Sequence, residues 1–326
     1  MKHLLLALLI SFGLVSSAQA AMLTSGNVLV SDFIDLTVTE YTTAGVLVQQ
    51  FVLIDPNLER AARDLVVDQN GNIHVYNGTF DPNLDSINPI TGTSTNQTLA
   101  GWSSINNISY GGIAVLGDLV FATDMGTAGD GGTEGIVKFS TSGGTAVRFA
   151  TSEEYQDLTI GIDGLLYGLR GINDFVDVFD PLTGNFIRTI NLDATLASAD
   201  VRGIAVDGNG ALYAAAWNGS LYSADSDGNV LTSLVTGLDD LTDIDIDNSG
   251  NLLAGSRFGD VIFSDINLLS SSSFSVNVLS GIHVAFTNPL RVQSAVVPEP
   301  STFALLSIGG LALAGYGWRR KRQQAA

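Results

Sequence analysis

Glycines at tight turns recur along the chain at Gly26, Gly71, Gly117, Gly164, Gly210 and Gly250, with spacings of 45, 46, 47, 46 and 40 residues. A period of that size points to propellers or solenoids. Each glycine opens a short apolar run, such as Asn72–Tyr76, Leu165–Leu169 or Ala211–Ala215. Upstream of most of them lies a five-residue stretch of fixed pattern: Asp64–Asp68, Gly112–Leu116, Asp157–Gly161, Gly203–Asp207 and Asp243–Asp247. Its second and fourth positions are always apolar, as in Leu65/Val67 and Ile244/Ile246. A period of two with one packed face is a strand, because no helix brings residues i and i+2 together.

A second hairpin follows each pair, with turns at Thr42–Gly45, Asn88–Gly92, Ser142–Gly144, Asp180–Gly184 and Asp225–Asn229. Where proline is present it presets φ at the start of the turn, and glycine accepts a positive φ at its close. Two hairpins per period give four antiparallel strands, which is a propeller blade. The first unit begins at its second strand, Asn27. A lone first-strand match, Gly281–Ala285 with Ile282 and Val284 in the apolar places, appears at the other end of the body. The late strand can complete the early blade and remove an open edge. The expected fold class is therefore all-β: a six-bladed β-propeller of four-stranded blades. Seven blades would follow if Leu290–Gln293 opened a unit of its own.

The two ends have other work. Lys2, the apolar stretch Leu4–Val15 and the Ala18-Gln19-Ala20 exit form a secretory signal peptide over residues 1–20, cut after Ala20. The body then runs over 21–296. From Pro298 the chain reads Pro298-Glu299-Pro300, an uncharged run from Ser301 to Trp318, and Arg319-Arg320-Lys321-Arg322. As a helix the run would span about 27 Å, just under the hydrocarbon core of a bilayer. The basic cluster would stay on the cytoplasmic side, which places the body across the inner membrane. A signal helix and a transmembrane helix are thus expected at the two ends.

Setting aside Lys2, the four terminal cations and Glu299 leaves nine Lys/Arg against 32 Asp/Glu, about −23 net. A charge so one-sided argues against nucleic acid as a partner, since phosphates need cations. It fits solubility and an attraction for cations. The chain has no cysteine, so an exported body of about 275 residues must rest on a full-sized core rather than on disulfides.

Residues 297–326 resemble the PEP-CTERM sorting signal of Gram-negative bacteria, through Val297-Pro298-Glu299-Pro300-Ser301, the apolar run and the Arg/Lys cluster. That resemblance implies recognition by an exosortase, cutting near Pro298–Pro300, and release or attachment outside the cell after an inner-membrane intermediate. It also implies an association with exopolysaccharide and biofilm. Gly203–Ala214, reading Gly-Ile-Ala-Val-Asp-x-x-Gly-x-Leu-Tyr-Ala, resembles the NHL and gluconolactonase-like six-bladed propellers. Hydrolytic and purely binding members share that grammar, so the fold does not fix the function.

The lactonase-like relatives hold a divalent cation in the central channel. Here Asp64, Asp157 and Asp243 begin the first strands of alternate blades, with Gly112, Gly203 and Gly281 between them. Converging on one channel mouth, the three carboxylates would suit Ca2+, which takes oxygen ligands. The competing reading is that each aspartate bonds backbone at its own strand entry. The metal-binding glutamate and asparagines of the lactonase type have no clear counterpart. Asp243, Asp245 and Asp247 alternate on one face and would gather a cation, or end in water at the strand ends. Asp225–Asn229 resembles half a calcium loop without its closing glutamate, and reads as a turn. His74 and His283 lie in strands without a partner histidine in sequence. Trp102, Trp217 and Tyr213 are candidates for stacking on sugars or for blade packing. The expected role is a non-catalytic surface or matrix protein that binds polysaccharide, an envelope protein or cations. The alternative is a metal-dependent lactonase-like hydrolase, and a third reading is a permanently anchored scaffold.

Overall fold

The computed structural model describes residues 22–289, apart from 33, 35, 55–61, 78–82, 99–110, 125–133, 152, 172, 193–195, 197–198 and 278–280. Both expected terminal helices, Ala18, Ala20, Leu290–Gln293, Pro298–Pro300 and Arg319–Arg322 lie outside the described residues. Among the described residues no helix is long and apolar enough to cross a membrane. Met1–Val292 forms one compact unit, and Gln293–Ala326, the other, also lies outside the described residues.

Among the described residues, twenty-four strands form six four-stranded sheets. Blade 1 holds β1 (Val28–Asp32), β2 (Thr37–Tyr41) and β3 (Leu47–Val52). Blade 2 is β4 (Ala62–Val67), β5 (Ile73–Asn77), β6 (Asn83–Asn88) and β7 (Thr93–Thr98). Blade 3 is β8 (Ile113–Leu116), β9 (Leu119–Asp124), β10 (Gly135–Ser140) and β11 (Gly143–Phe149). Blade 4 is β12 (Tyr155–Ile160), β13 (Leu166–Arg170), β14 (Phe175–Phe179) and β15 (Phe186–Asn191). Blade 5 is β16 (Val201–Val206), β17 (Leu212–Ala216), β18 (Ser220–Ala224) and β19 (Val230–Val235). Blade 6 is β20 (Leu241–Ile246), β21 (Asn251–Ser256), β22 (Asp260–Asp265) and β23 (Ser271–Ser275). The last strand, β24 (Ile282–Phe286), pairs antiparallel with β1 and becomes the first strand of blade 1. The first strands of successive blades pack on one another around the ring, so they surround its axis.

The core sits between blades. Six apolar clusters each draw on two neighbouring sheets. One joins Leu169 and Val178 to Ile204 and Leu212, and another joins Val28 and Val284 to Leu253 and Val261. Each fully buried aliphatic side chain contributes roughly 1.5–3 kcal/mol. Since every blade supplies half of two clusters, no blade buries its apolar faces alone.

Turn chemistry sets the register. Asp207 Oδ1 accepts the N–H groups of Asn209 and Ala211 at 2.8 Å each, and Gly210 closes the turn at φ 82°. Asp68 and Asp247 repeat this cap. On the outer strands a second rule appears: an outer-strand side chain lands on a turn glycine of the next blade. A Cβ added at Gly45 would meet the Phe274 ring at 2.8 Å, and one at Gly184 would meet Phe149 at 3.0 Å.

Candidate functional site

The hub is built from one position repeated in six blades. In each blade the central pair of the first hairpin fixes the equivalence: Leu65↔Val75, Ile113↔Ala122, Leu158↔Gly168, Ile204↔Ala214, Ile244↔Ala254 and Val284↔Val30. The residue before each of these faces its neighbours across the ring. Around the axis these are Asp64, Gly112, Asp157, Gly203, Asp243 and His283.

The sixth place corrects the sequence reading. Gly281 does not alternate with the aspartates, and a Cβ added there would meet nothing within 4 Å. The apolar pair equivalent to Leu65/Val67 is Val284/Phe286, two residues beyond Ile282/Val284. A slip of two keeps every side chain on its face, so a period of two cannot detect it. Four of the five other hairpins hide the slip, the β8–β9 pair being regular. Their register shifts by one between Ala62 and Asp64, Tyr155 and Asp157, Val201 and Gly203, and Leu241 and Asp243. These bulges insert Arg63, Gln156, Arg202 and Thr242, whereas the β1–β24 register runs without a break.

Each hub aspartate ties two blades together. Asp64 accepts the N–H of Leu65 on Oδ1 and that of Ile113 on Oδ2, both at 2.7 Å. Asp157 does the same with Leu158 at 2.7 Å and Ile204 at 2.6 Å. Asp243 takes Ile244 at 2.8 Å and Val284 at 2.7 Å. Blades 2 and 3, 4 and 5, and 6 and 1 are thereby stitched. The two seams after Gly112 and Gly203 close by contact instead. A Cβ at Gly112 would lie 2.5 Å from Asp157 Cα, and one at Gly203 2.8 Å from Asp243 Cα. Asp245 adds a second tie across the last seam, accepting Phe286 N–H at 2.7 Å as well as Ile246 N–H at 2.8 Å.

Burial dominates the electrostatics. It lifts Asp64 well above the ordinary carboxylate range, helped by repulsion from Asp243 and Asp157, and it lifts Asp157 in the same way, with Asp243 adding to it. Burial raises Asp243 to about 6 and Asp245 to about 7, against the amide hydrogen bonds that favour the charged form. His283 Nδ1 lies 3.8 Å from Asp243 Oδ2 and 4.0 Å from Asp64 Oδ1. Burial and then the Arg63 guanidinium push this imidazole down to about 3, so it stays neutral and these contacts are not ion pairs. Above the hub, a narrow cleft is lined by Gly111, Gln156, Arg202 and Thr242. Gln156 turns Nε2 to Gly171 O at 2.8 Å, and its buried Oε1 has no hydrogen-bond partner.

Ligand atoms of Asp64, Asp243 and His283 lie within 4.8 Å of one another. Two carboxylates and an imidazole suit a borderline ion such as Zn2+ better than Ca2+, which favours oxygen. Each oxygen of the two aspartates already accepts one amide proton, which leaves it one of its two lone pairs for an ion. Asp157 is not among the three.

The remaining candidates separate. Asp247 and Asp225 cap turns, Asp225 taking the N–H groups of Asp227 and Asn229 at 2.9 Å each. His74 is buried between Ser86 Oγ (2.9 Å) and Asp68 Oδ2 (3.2 Å); despite its own burial, Asp68 is held low by His74 and Asn72. Tyr213 is buried, its hydroxyl donating to Asp207 at 3.4 Å. Trp217 is half-buried under two guanidinium groups, Arg202 at 5.1 Å and Arg257 at 5.6 Å from the ring centroid. Trp102 lies outside the described residues.

The C-terminal family model matches residues 296–322. The segment is a PEP-CTERM protein-sorting motif. The motif marks an exported protein and implies processing by an exosortase. No curated protein matches the chain. Solved structures with the same fold include virginiamycin B lyase from Staphylococcus aureus, at 13% identity and TM-score 0.54, covering 78% of this chain and 82% of that one. A Bacteroides caccae protein of unknown function aligns at 12% and 0.57 over 82% and 100%. A chain of a nidogen/laminin complex aligns at 15% and 0.58 over 80% and 99%. Identities this low establish the propeller and nothing about its chemistry.

Proposed function

We propose that this chain is a non-catalytic propeller of the cell surface or extracellular matrix, which binds polysaccharide or another envelope protein. An exosortase cuts its tail near Pro298–Pro300 after an inner-membrane stage. The observation that carries the non-catalytic reading is the commitment of the hub. Asp64, Asp157 and Asp243 each hold two backbone amides on two different blades. A general base or metal ligand needs a lone pair aimed at substrate, and every oxygen of these carboxylates already commits one to the scaffold. The sorting motif supports delivery to the outside, where a linkage to biofilm polymer follows from the kind of protein that carries it.

The test is co-sedimentation of the purified body, residues 21–297, with extracellular polymer from the producing cells. Retention of the body by the polymer is expected, with no hydrolysis of glucono-δ-lactone. A body that stays in the supernatant would remove the binding role. The convergence of Asp64, Asp243 and His283 favours one second reading, a metal-dependent lactonase-like hydrolase. Lactone turnover that is lost on adding a chelator would establish it.

A further inference from the structure

The seam between blades 6 and 1 contains a cleft of about 500 Å3. Three other seams are bridged at this level by a long polar side chain reaching a turn carbonyl of the next blade. Gln97 Nε2 donates to Thr141 O at 3.1 Å, Lys138 Nζ to Leu182 O at 2.5 Å, and Arg188 to Ser226 O. Strand pairing shows what replaces them in blade 6. Phe263 stands at the place of Lys138, and Ser272 at that of Arg188. Phe274, at the place of Gln97, packs on Gly45 of the Thr42–Val46 turn of blade 1, but Ser272 makes no polar bridge to it, and the space beside that ring stays open.

The lining chemistry selects a ligand. Asp265 presents a carboxylate and Asn251 an amide whose nitrogen already donates to the buried turn cap Asp247 at 2.7 Å, Ser271 and Ser272 are exposed hydroxyls, and Phe263 offers a half-buried ring. Among the described residues no Lys or Arg lines the cleft. Two carboxylates without a cation repel phosphates, sulfates and uronates. A single ring among hydroxyls gives little apolar area for a peptide anchor. We infer that this ring-closing cleft binds a neutral saccharide, its hydroxyls paired with the carboxylate, amide and serine groups and one sugar face laid on Phe263. A volume of this size lies within the usual range for ligand sites. The inference rests on the binding role proposed above and assigns it a place.

Isothermal titration of the body with cellopentaose, maltopentaose and chitopentaose tests it, with tetragalacturonate as the anionic control. At least one neutral pentamer is expected to bind and tetragalacturonate is not. Ser272→Arg, which rebuilds the Arg188 type of bridge, is expected to weaken that binding at least tenfold with an unchanged or higher melting temperature. Asp265→Asn keeps the acceptor for Asn267 N–H (2.7 Å), and is expected to weaken binding without loss of fold. No binding of any neutral pentamer, tighter binding of tetragalacturonate, or full binding by both variants overturns the assignment. If both variants still sediment with extracellular polymer, the site is wrong while the binding role stands. If the unaltered body does not sediment, the role itself falls.

Discussion

The last seam of the ring and the seam between blades 4 and 5 perform the same task with different means. Blades 4 and 5 follow one another in the chain. One carboxylate, Asp157, ties them at the hub, and Arg188 bridges them further out. At the last seam the partner strand is β24, held in blade 1 by its pairing with β1 at the far end of the chain. Here two carboxylates, Asp243 and Asp245, hold two amides of β24, and further out the Phe274 ring on Gly45 stands in place of a polar bridge. Stitching is concentrated where a terminal strand would otherwise fray, and relaxed further out, where a cleft opens. The contrast teaches that one repeat pattern can be locally rewritten for closure without changing the blade.

The greatest loss is expected from ending the body at residue 280. Blade 1 then lacks its first strand and the buried groups around Val28 lose their partners, so the cooperative melt of the 21–297 body should disappear in circular dichroism. A sharp transition in the shortened body would mean that β24 is dispensable. Gly112→Val comes next. Its side chain would press on the Asp157 backbone, costing about 3 kcal/mol or more by overpacking, measured by denaturant unfolding; a neutral result would show that this seam gives way.

Asp243→Ala leaves two buried amides without an acceptor, at about 1–3 kcal/mol for each. Asp225→Ala, on an exposed turn, should change the denaturation midpoint far less. Equal effects would erase the distinction between hub and rim.

The smallest expected effect is a dependence on pH. Asp243 and Asp245 have folded values of about 6 and about 7, against an unfolded value near 3.9. Between those limits the folded state binds more protons, so stability falls as pH rises. His283, lowered to about 3, works in the opposite direction as its unfolded form titrates around a value of about 6.5. From pH 6.5 to 8 the second half of that titration offsets only part of the carboxylate effect, to which Asp64 and Asp157, also raised by burial, add. The melting temperature should drop by about 2–4 °C across that interval, and Asp245→Asn should flatten the slope. A melting temperature that climbs over this interval would contradict the assigned burial.

Much of this was legible in the residues. Glycine spacing and the alternation of Leu65/Val67 or Ile204/Val206 specify blades because both reflect packing that recurs in every unit. The tail was legible because Pro298–Pro300, an apolar run and Arg319–Arg322 are read as a linear string. The position of His283 was not legible, since two registers of β24 bury the same face and only bulges elsewhere distinguish them. Nor was the role of Asp245: it is a residue whose partner, Phe286, lies 41 positions away across a seam. That Ser272 stands where Arg188 bridges its own seam is visible only once the strand registers are aligned.

Intact-mass spectrometry of the exported protein tests most directly whether a closed ring travels on a removable tail. A mature chain that begins after Ala20 and ends near Pro298–Pro300, with β24 retained, is the expected result. An extracellular form that still carries Trp318–Arg322, or one cut before Ile282, would contradict it.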